Sequence, residues 1–230
     1  MIRYIFFDRD GTLTRNSEEW MQLRRDKFLE WSGMPLDESD EFFMKHFLKV
    51  RHGDYPFAPY KNVEQELLFF RQWFISAFED YGITENTEER ADFLTEHLWY
   101  LGKELYPETL EVLEYFRVRG YGMGVISDCP LSLELTLKQC GIHDYFQVFA
   151  ASSLVGIGKP NKGIFDWAVG KAGVKMEECL YIDDAEEEAI AAGKYGMKSF
   201  WLDRSKSHSG EWIAHDLHKL IEYEKTIHAN

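Results

Sequence analysis

Two carboxylates stand two residues apart in Ile5-Phe6-Phe7-Asp8-Arg9-Asp10-Gly11-Thr12-Leu13-Thr14, where a short apolar run breaks into a glycine turn. The spacing suits acid chemistry, with one carboxylate free to attack an electrophile while the other handles a proton. Gly11 lets the backbone turn sharply and leaves N–H groups available to an anion. Asp beside Gly also makes ordinary turns through local side-chain to backbone bonds, so the decapeptide alone leaves a plain turn as the alternative. Three further polar clusters follow apolar runs: Ser127-Asp128, Gly158-Lys159-Pro160 and Asp183-Asp184. Taken singly they read as a loop hydroxyl or helix cap, a surface lysine before proline, and a turn with an N-cap. What they mean together depends on the elements that carry them.

A buried strand over residues 4–7 delivers Asp8 to a strand's carboxyl end. Between about Asn16 and Gly102 no β-rich run follows. Asn16 with Glu19, Asn62 with Gln65, and Asn86 with Glu89 each pair an N-cap type residue with an acid or amide three positions on, the signature of a helix start. Leu67, Phe70, Phe74, Ala77, Phe78 and Tyr81 recur with helical period, and Gly82 follows as a stop. This region reads as a small helical bundle, with its Phe/Trp stripe as bundle core. From about Tyr106 strands and helices alternate: helix 107–119, strand 123–126, helix 131–139, strand 146–151, helix 161–172, strand 179–182, helix 186–195, strand 198–202 and a last helix 212–227.

Such alternation implies a parallel sheet covered on both faces. The first strand must join it, because a lone apolar strand cannot leave its ladder groups unpaired. The expected organisation is an α/β core of residues 1–15 and 103–230 with a helical insertion over 16–102, hinged near 14–17 and 102–107. Ligands of open parallel sheets bind outside the carboxyl ends of the strands. All four polar clusters converge there.

Composition bounds the partners. Lys+Arg 26 against Asp+Glu 40 gives a net charge of −14 over 230 residues, which repels nucleic acid and anionic membrane surfaces. The start Met1-Ile2-Arg3-Tyr4 runs into a core strand with no charged leader, so a cytoplasmic location is expected. Cys129, Cys140 and Cys179 lack metal-type spacing, and their odd count argues against a disulfide framework. His215 and His218, at helical spacing, read as a solvated helix face because no third ligand accompanies them.

Asp8-Arg9-Asp10-Gly11-Thr12, Ser127, Lys159 and Asp183-Asp184, in this order and each after a core strand, resemble the four motifs of the haloacid dehalogenase superfamily of aspartate-nucleophile phosphohydrolases. The resemblance covers the whole chain, including a helical cap between the first and second motifs. In other members the residue between the two acids is often apolar. The Asp-Arg-Asp-Gly version also occurs in histidinol-phosphatase-like relatives, which lack so large a cap at this point.

The resemblance implies a Rossmann-like parallel-sheet core with an inserted all-helical cap, and a Mg²⁺-dependent phosphohydrolase acting on a small phosphorylated metabolite. Asp8 would be the nucleophile forming an aspartyl-phosphate, and Asp10 the acid that protonates the leaving alkoxide and then deprotonates water. Mg²⁺ would take the Asp8 carboxylate, the Asp10 backbone carbonyl and Asp184, with Asp183 as a further partner and Glu188 behind them. Thr12 and Ser127, with Asp128 beside it, would contact the phosphoryl group, and Lys159 would offset its charge. Pro160 keeps Lys159 out of the helical region. A phosphomutase of the β-phosphoglucomutase type keeps both acids and the same cap position. A dehalogenase needs only the first acid, and a noncatalytic binding protein on this fold normally lacks the nucleophile or a metal acid. Specificity is expected in the cap turn Lys49-Val50-Arg51-His52-Gly53-Asp54-Tyr55, where Lys49, Arg51 or His52 would hold the part of the substrate away from phosphate; a solvated loop is the alternative. Sugar phosphates, phosphoglycolate, nucleotides and pyrophosphate all remain open as substrates.

Overall fold

In the computed structural model, which describes residues 1–50, 60–99 and 102–228, every residue of the strand Tyr4–Phe7 is buried. Side chains alternate across a strand. Ile5 and Phe7 therefore pack into one apolar cluster and Tyr4 and Phe6 into another. A strand buried on both faces needs partners on both edges and helices above and below, and the rest of the chain supplies them.

The elements in order are β1 (Tyr4–Phe7), β2 (Thr14–Asn16), α1 (Glu18–Ser32), α2 (Asp40–Val50), α3 (Val63–Asp80), α4 (Thr87–Trp99), β3 (Lys103–Leu105), α5 (Thr109–Arg117), β4 (Gly122–Ser127), α6 (Leu133–Gln139), β5 (Val148–Ala151), α7 (Ser152–Val155), α8 (Lys162–Ala172), β6 (Cys179–Asp183), α9 (Glu186–Tyr195), β7 (Lys198–Leu202), β8 (Ile213–Ala214) and α10 (His218–His228). The chain divides into two compact units, Met1–Arg15 with Glu104–Asn230, and Asn16–Lys103.

The first unit holds a six-stranded sheet in the order β5-β4-β1-β6-β7-β8, with β1 parallel to both neighbours. Helices α5, α6 and α10 bury Val112, Phe116, Leu133, Leu137, Leu220 and Ile221 against one face. Helices α8 and α9 bury Ile164, Phe165, Ala168 and Ala192 against the other. Gly122 and Gly124 are needed in β4, because a Cβ there would lie 2.3 Å from the Tyr4 ring and 2.7 Å from that of Phe6. From β1 the chain goes on to build β4 and β5 on one side and later β6, β7 and β8 on the other, so the order reverses between β1 and β6. Such a switch point opens a crevice at the strands' carboxyl ends.

The second unit contains α1 to α4. Asn62 caps α3 by accepting the Gln65 N–H at 2.9 Å, while Gln65 Oε1 accepts the Lys61 N–H at 2.9 Å, a two-way cap of the kind its sequence indicated. Helix α3 buries Phe69, Phe70, Trp73, Phe74, Ala77 and Phe78, a broader stripe than the periodicity alone outlines. Phe28 of α1 packs against Phe78 and Tyr81, with ring centroids 5.6 and 5.1 Å away.

The structure departs from the sequence reading in several places. Asn16 ends β2 and Ser17 takes the N-cap position of α1; β2 and β3 pair as a two-stranded sheet, whose polar three-residue strands carry no hydrophobic period. Asn86, with a φ of +51°, stands immediately before α4, where the sequence reading places a helix start. Residues 213 and 214 form β8 beside β7, so the last helix starts at His218. His215 lies before that helix with its Nε2 2.7 Å from the His208 carbonyl, and His218 Nε2 lies 3.3 Å from Glu111, so the two histidines share no helix face. The three cysteines are free. Among the described residues no helix is long and apolar enough to cross a membrane.

Candidate active site

Three adjacent strands end in polar residues at the switch point. Asp8 follows β1 directly, its N–H donating to the Ile182 carbonyl at 3.0 Å. Ser127 closes β4 and Asp183 closes β6, and the parallel register sets Phe7 level with Val125 and Ile182. Asp8, Ser127 and Asp183 are 5%, 2% and 1% exposed.

Lys159 arrives from the loop before α8 and joins the cluster. Its Nζ lies 2.8 Å from Asp8 Oδ1, 2.7 Å from Asp183 Oδ2 and 2.5 Å from Glu188 Oε2, with the side chain 2% exposed. The lysine's own N–H donates to Asp128 Oδ1 at 2.9 Å. Asp128, expected beside Ser127 among the phosphate contacts, is thus engaged with the backbone of Lys159; an anionic carboxylate suits that N–H better than a phosphate oxygen. Asp183 is fully used by the protein. Its Oδ1 accepts the Ala185 N–H at 2.8 Å, and its Oδ2 accepts from Lys159 and from the Tyr181 hydroxyl.

Asp184 approaches the glycine turn after β1. Its carboxylate lies so close to Gly11 that a Cβ on that residue would stand 2.2 Å from Oδ2, and Gly11 has a φ of +78°. Glycine is required there on both counts. Asp8, Asp183 and Asp184 each offer an oxygen within 4.8 Å of the others.

Charge accounts for the arrangement. Burial pushes the Asp8 carboxyl up, Asp183 and Asp10 add to the push, and Lys159 opposes it without cancelling it. Glu188 is raised likewise by burial and Asp183 against the pull of Lys159. Burial alone would favour a neutral Lys159 amine, but Tyr181, Asp8, Asp183 and Glu188 around it hold the ammonium well above its ordinary range. One ammonium therefore faces the four carboxylates of Asp8, Asp183, Asp184 and Glu188. A cluster of hard oxygen donors with a negative excess fits a divalent cation.

Asp10 is held in place by its neighbours. Arg9, whose side chain is 7% exposed, grips it at two points, Nε to Oδ1 at 3.0 Å and Nη2 to Oδ2 at 2.6 Å. The Thr14 hydroxyl adds a third contact at 3.1 Å. Thr12 is fully buried and its hydroxyl has no protein partner among the described residues. The Cys129 thiol, beside Ser127, is pushed by burial up to about 11 and remains a thiol. Lys49 lies in the last turn of α2, not in a turn after it, and pairs with Glu79; Arg51 and His52 lie outside the described residues. An apolar cavity of about 460 Å³ lined by Ile190, Met197, Trp201 and Trp212 contains none of the clustered acids.

Sequence reasoning missed three residues. In the sequence Arg9 stands only as a variant residue between two acids. Tyr181 stands two before Asp183 on one strand, and that period-two spacing puts both side chains on the same face, a signal present in the sequence. Arg204, whose guanidinium donates to the carbonyls of Gly11 at 2.9 Å and Thr12 at 2.7 Å, carries no local signal, because its partners lie some 190 residues away.

A family model described as haloacid dehalogenase-like hydrolase matches residues 2–196. The chain belongs to this family. As a haloacid dehalogenase-like hydrolase it is an enzyme of the phosphatase type. It is 26% identical over 221 residues to Phosphatase MT3486 of Mycobacterium tuberculosis, a match covering 95% of each chain. It is 28% identical over 135 residues to a glyceraldehyde 3-phosphate phosphatase of Methanocaldococcus jannaschii, covering 53% of this chain and 57% of the relative. The crystal structure of a HAD phosphatase from Thermococcus onnurineus superposes with a TM-score of 0.66 at 24% identity, covering 97% of this chain and 98% of that one, a likeness of fold. The Rossmann-like α/β architecture of the family is the one built here around β1.

Proposed function

We propose that the chain hydrolyses a small phosphorylated metabolite through an aspartyl-phosphate on Asp8, with Mg²⁺ as its cation. The observation that carries this reading is the buried contact of Lys159 with Asp8, Asp183 and Glu188, with Asp184 within reach of Asp8 on the open side. The names of the relatives, among them one acting on glyceraldehyde 3-phosphate, support a small phosphate ester as substrate.

Asp8 attacks phosphorus, forming the carboxylate–phosphorus bond as the ester oxygen departs. Asp10 gives that oxygen a proton and then removes one from the water that cleaves the aspartyl-phosphate. Arg9 and Thr14 fix where Asp10 stands between the two steps. Lys159 meets the charge spreading over the phosphoryl oxygens, and Tyr181, Asp183, Glu188 and Asp128 hold that lysine in place. Thr12 and Ser127 supply hydroxyl donors to the same oxygens. The Asp8 and Asp184 carboxylates and the Asp10 carbonyl would hold Mg²⁺, with Asp183 acting through Lys159. Bound there, the ion supplies Lewis acidity and the positive charge that lets a carboxylate approach a phosphate. The helical unit serves as the cap that selects the substrate, and the location is the cytoplasm.

Release of inorganic phosphate from a panel of phosphorylated metabolites tests the reading. Turnover is expected with Mg²⁺, to vanish in EDTA and to return on adding Mg²⁺; Ca²⁺, with a larger and looser shell, inhibits. In ¹⁸O-water the label enters the released phosphate. Isomerised sugar phosphate with negligible free phosphate identifies a mutase instead, and full turnover in a metal-free preparation removes the cation from the mechanism.

A further inference from the structure

The segment after β1 presents three successive carbonyls, and each is taken. Leu13 O accepts the Tyr106 N–H at 3.2 Å and the Thr109 hydroxyl at 3.0 Å. Gly11 O and Thr12 O accept Nε and Nη2 of one side chain, Arg204, from the loop after β7. The third guanidinium nitrogen, Nη1, lies 2.8 Å from Glu108 Oε1, and its plane sits over the Tyr106 ring, 3.4 Å from the centroid. Every edge of Arg204 is therefore committed. Its own loop is knitted by Asp203, which is 6% exposed and accepts the N–H groups of Ser205 at 3.0 Å and His208 at 2.8 Å.

A trans peptide is planar, with its N–H antiparallel to its C=O. The Gly11–Thr12 and Thr12–Leu13 bonds are trans. Fixing Gly11 O on Arg204 therefore turns the Thr12 N–H to the opposite side, and fixing Thr12 O turns the Leu13 N–H away, onto Arg9 O at 2.9 Å. The second bond closes the loop on the residue that grips Asp10. The first leaves Thr12 with an N–H free of protein acceptors among the described residues, beside a buried hydroxyl that has none either. Unsatisfied donors at a buried position require an occupant.

We infer that Arg204 is a positioning residue for the Asp8–Thr12 segment, a two-point clamp that orients the Thr12 donors toward the bound phosphoryl group and locks Arg9, and through it Asp10, in register. It ties that segment to Tyr106 and Glu108, where the chain returns to the core. The part concerning phosphate rests on the function proposed above; the clamp itself does not. Lysine cannot replace it, since an ammonium is a single point where the guanidinium is a planar fork.

The test is Arg204→Ala and Arg204→Lys in the full chain, with p-nitrophenyl phosphate and Mg²⁺ as probe and hydrogen exchange as a second readout. Arg204→Ala is expected to lower kcat by roughly 10- to 100-fold with little change in KM, the signature of misplaced reacting groups. Exchange at the Leu13 and Thr14 amides, which both donate to Arg9 O, speeds up while that of β4 and β6 stays as in the wild type. Arg204→Lys falls between, and decides the matter should the alanine variant not fold. A folded alanine variant with wild-type kcat, unchanged exchange over residues 8–14, or a lysine variant indistinguishable from wild type overturns the inference. Wild-type protein inactive on every phosphate ester would defeat the phosphatase reading, and the exchange result would then decide the clamp alone.

Discussion

Arg9 and Asp10 form the contact on which the proposed proton-transfer step would depend. An exposed carboxylate samples several rotamers, whereas Asp10 is held by a buried guanidinium at two points and by Thr14. Replacing Arg9 by Leu frees Asp10, and the cost falls where protonation of the leaving group matters. An alkyl phosphate, whose alkoxide needs a proton, is expected to lose about tenfold or more in kcat. p-Nitrophenyl phosphate, whose phenolate leaves without help, loses less. Equal losses on the two substrates, measured side by side, mean that Arg9 supports something other than the acid. The acids themselves were readable in the sequence because a strand end and a glycine turn announce them. Tyr181 was signalled by its period-two spacing from Asp183, whereas Arg9 and Arg204 were not, because what they touch is decided by rotamers and by contacts across the sheet, which no local spacing encodes.

Helices and strands with a strong apolar period were legible nearly to their ends, as β6, β7, α8 and α9 illustrate. The errors fell on elements too short to have a period: β2, β3 and the two-residue β8. In the helical unit, periodicity found the stripe of α3 but not the polar group it covers. His46 of α2 is fully buried, with Nδ1 2.8 Å from Ser76 Oγ and Nε2 3.2 Å from Asp80 Oδ2. Burial pulls its pKa below the ordinary 6.5 against the favourable charge of Asp80, and Lys45 and Lys49 add to the depression. The unfolded chain therefore binds the proton more readily, so the stability is full above the ordinary 6.5 and is lost as pH falls from there through the depressed folded value. The thermal midpoint of α1–α4 unfolding is expected to drop between pH 7.5 and 5.5, and His46→Gln to flatten that slope. A wild-type slope unchanged by the substitution, followed by circular dichroism, would rule out His46 as its source.

The charge of the whole molecule opposes its proposed substrate. A protein of net charge −14 repels a phosphate dianion at long range, and salt screens that repulsion with a Debye length of about 10 Å at 0.1 M. With Mg²⁺ saturating, kcat/KM should rise as NaCl is increased from low concentration toward about 0.1 M; a steady fall would place a dominant positive field at the entrance. The doubly wound core was legible at this scale because alternating strands and helices leave few topologies. The nucleophile proposed here is Asp8 at the end of β1, and borohydride trapping tests that role most directly. Reduction during turnover should convert the aspartyl-phosphate to homoserine at position 8, detected by mass spectrometry of the peptide carrying β1, only with substrate and Mg²⁺ present. Asp8→Asn should yield no such product and lose phosphate release by roughly 10³-fold or more. Phosphate release that continues with Asp8 unmodified, or near-wild-type turnover in Asp8→Asn, would contradict the covalent mechanism.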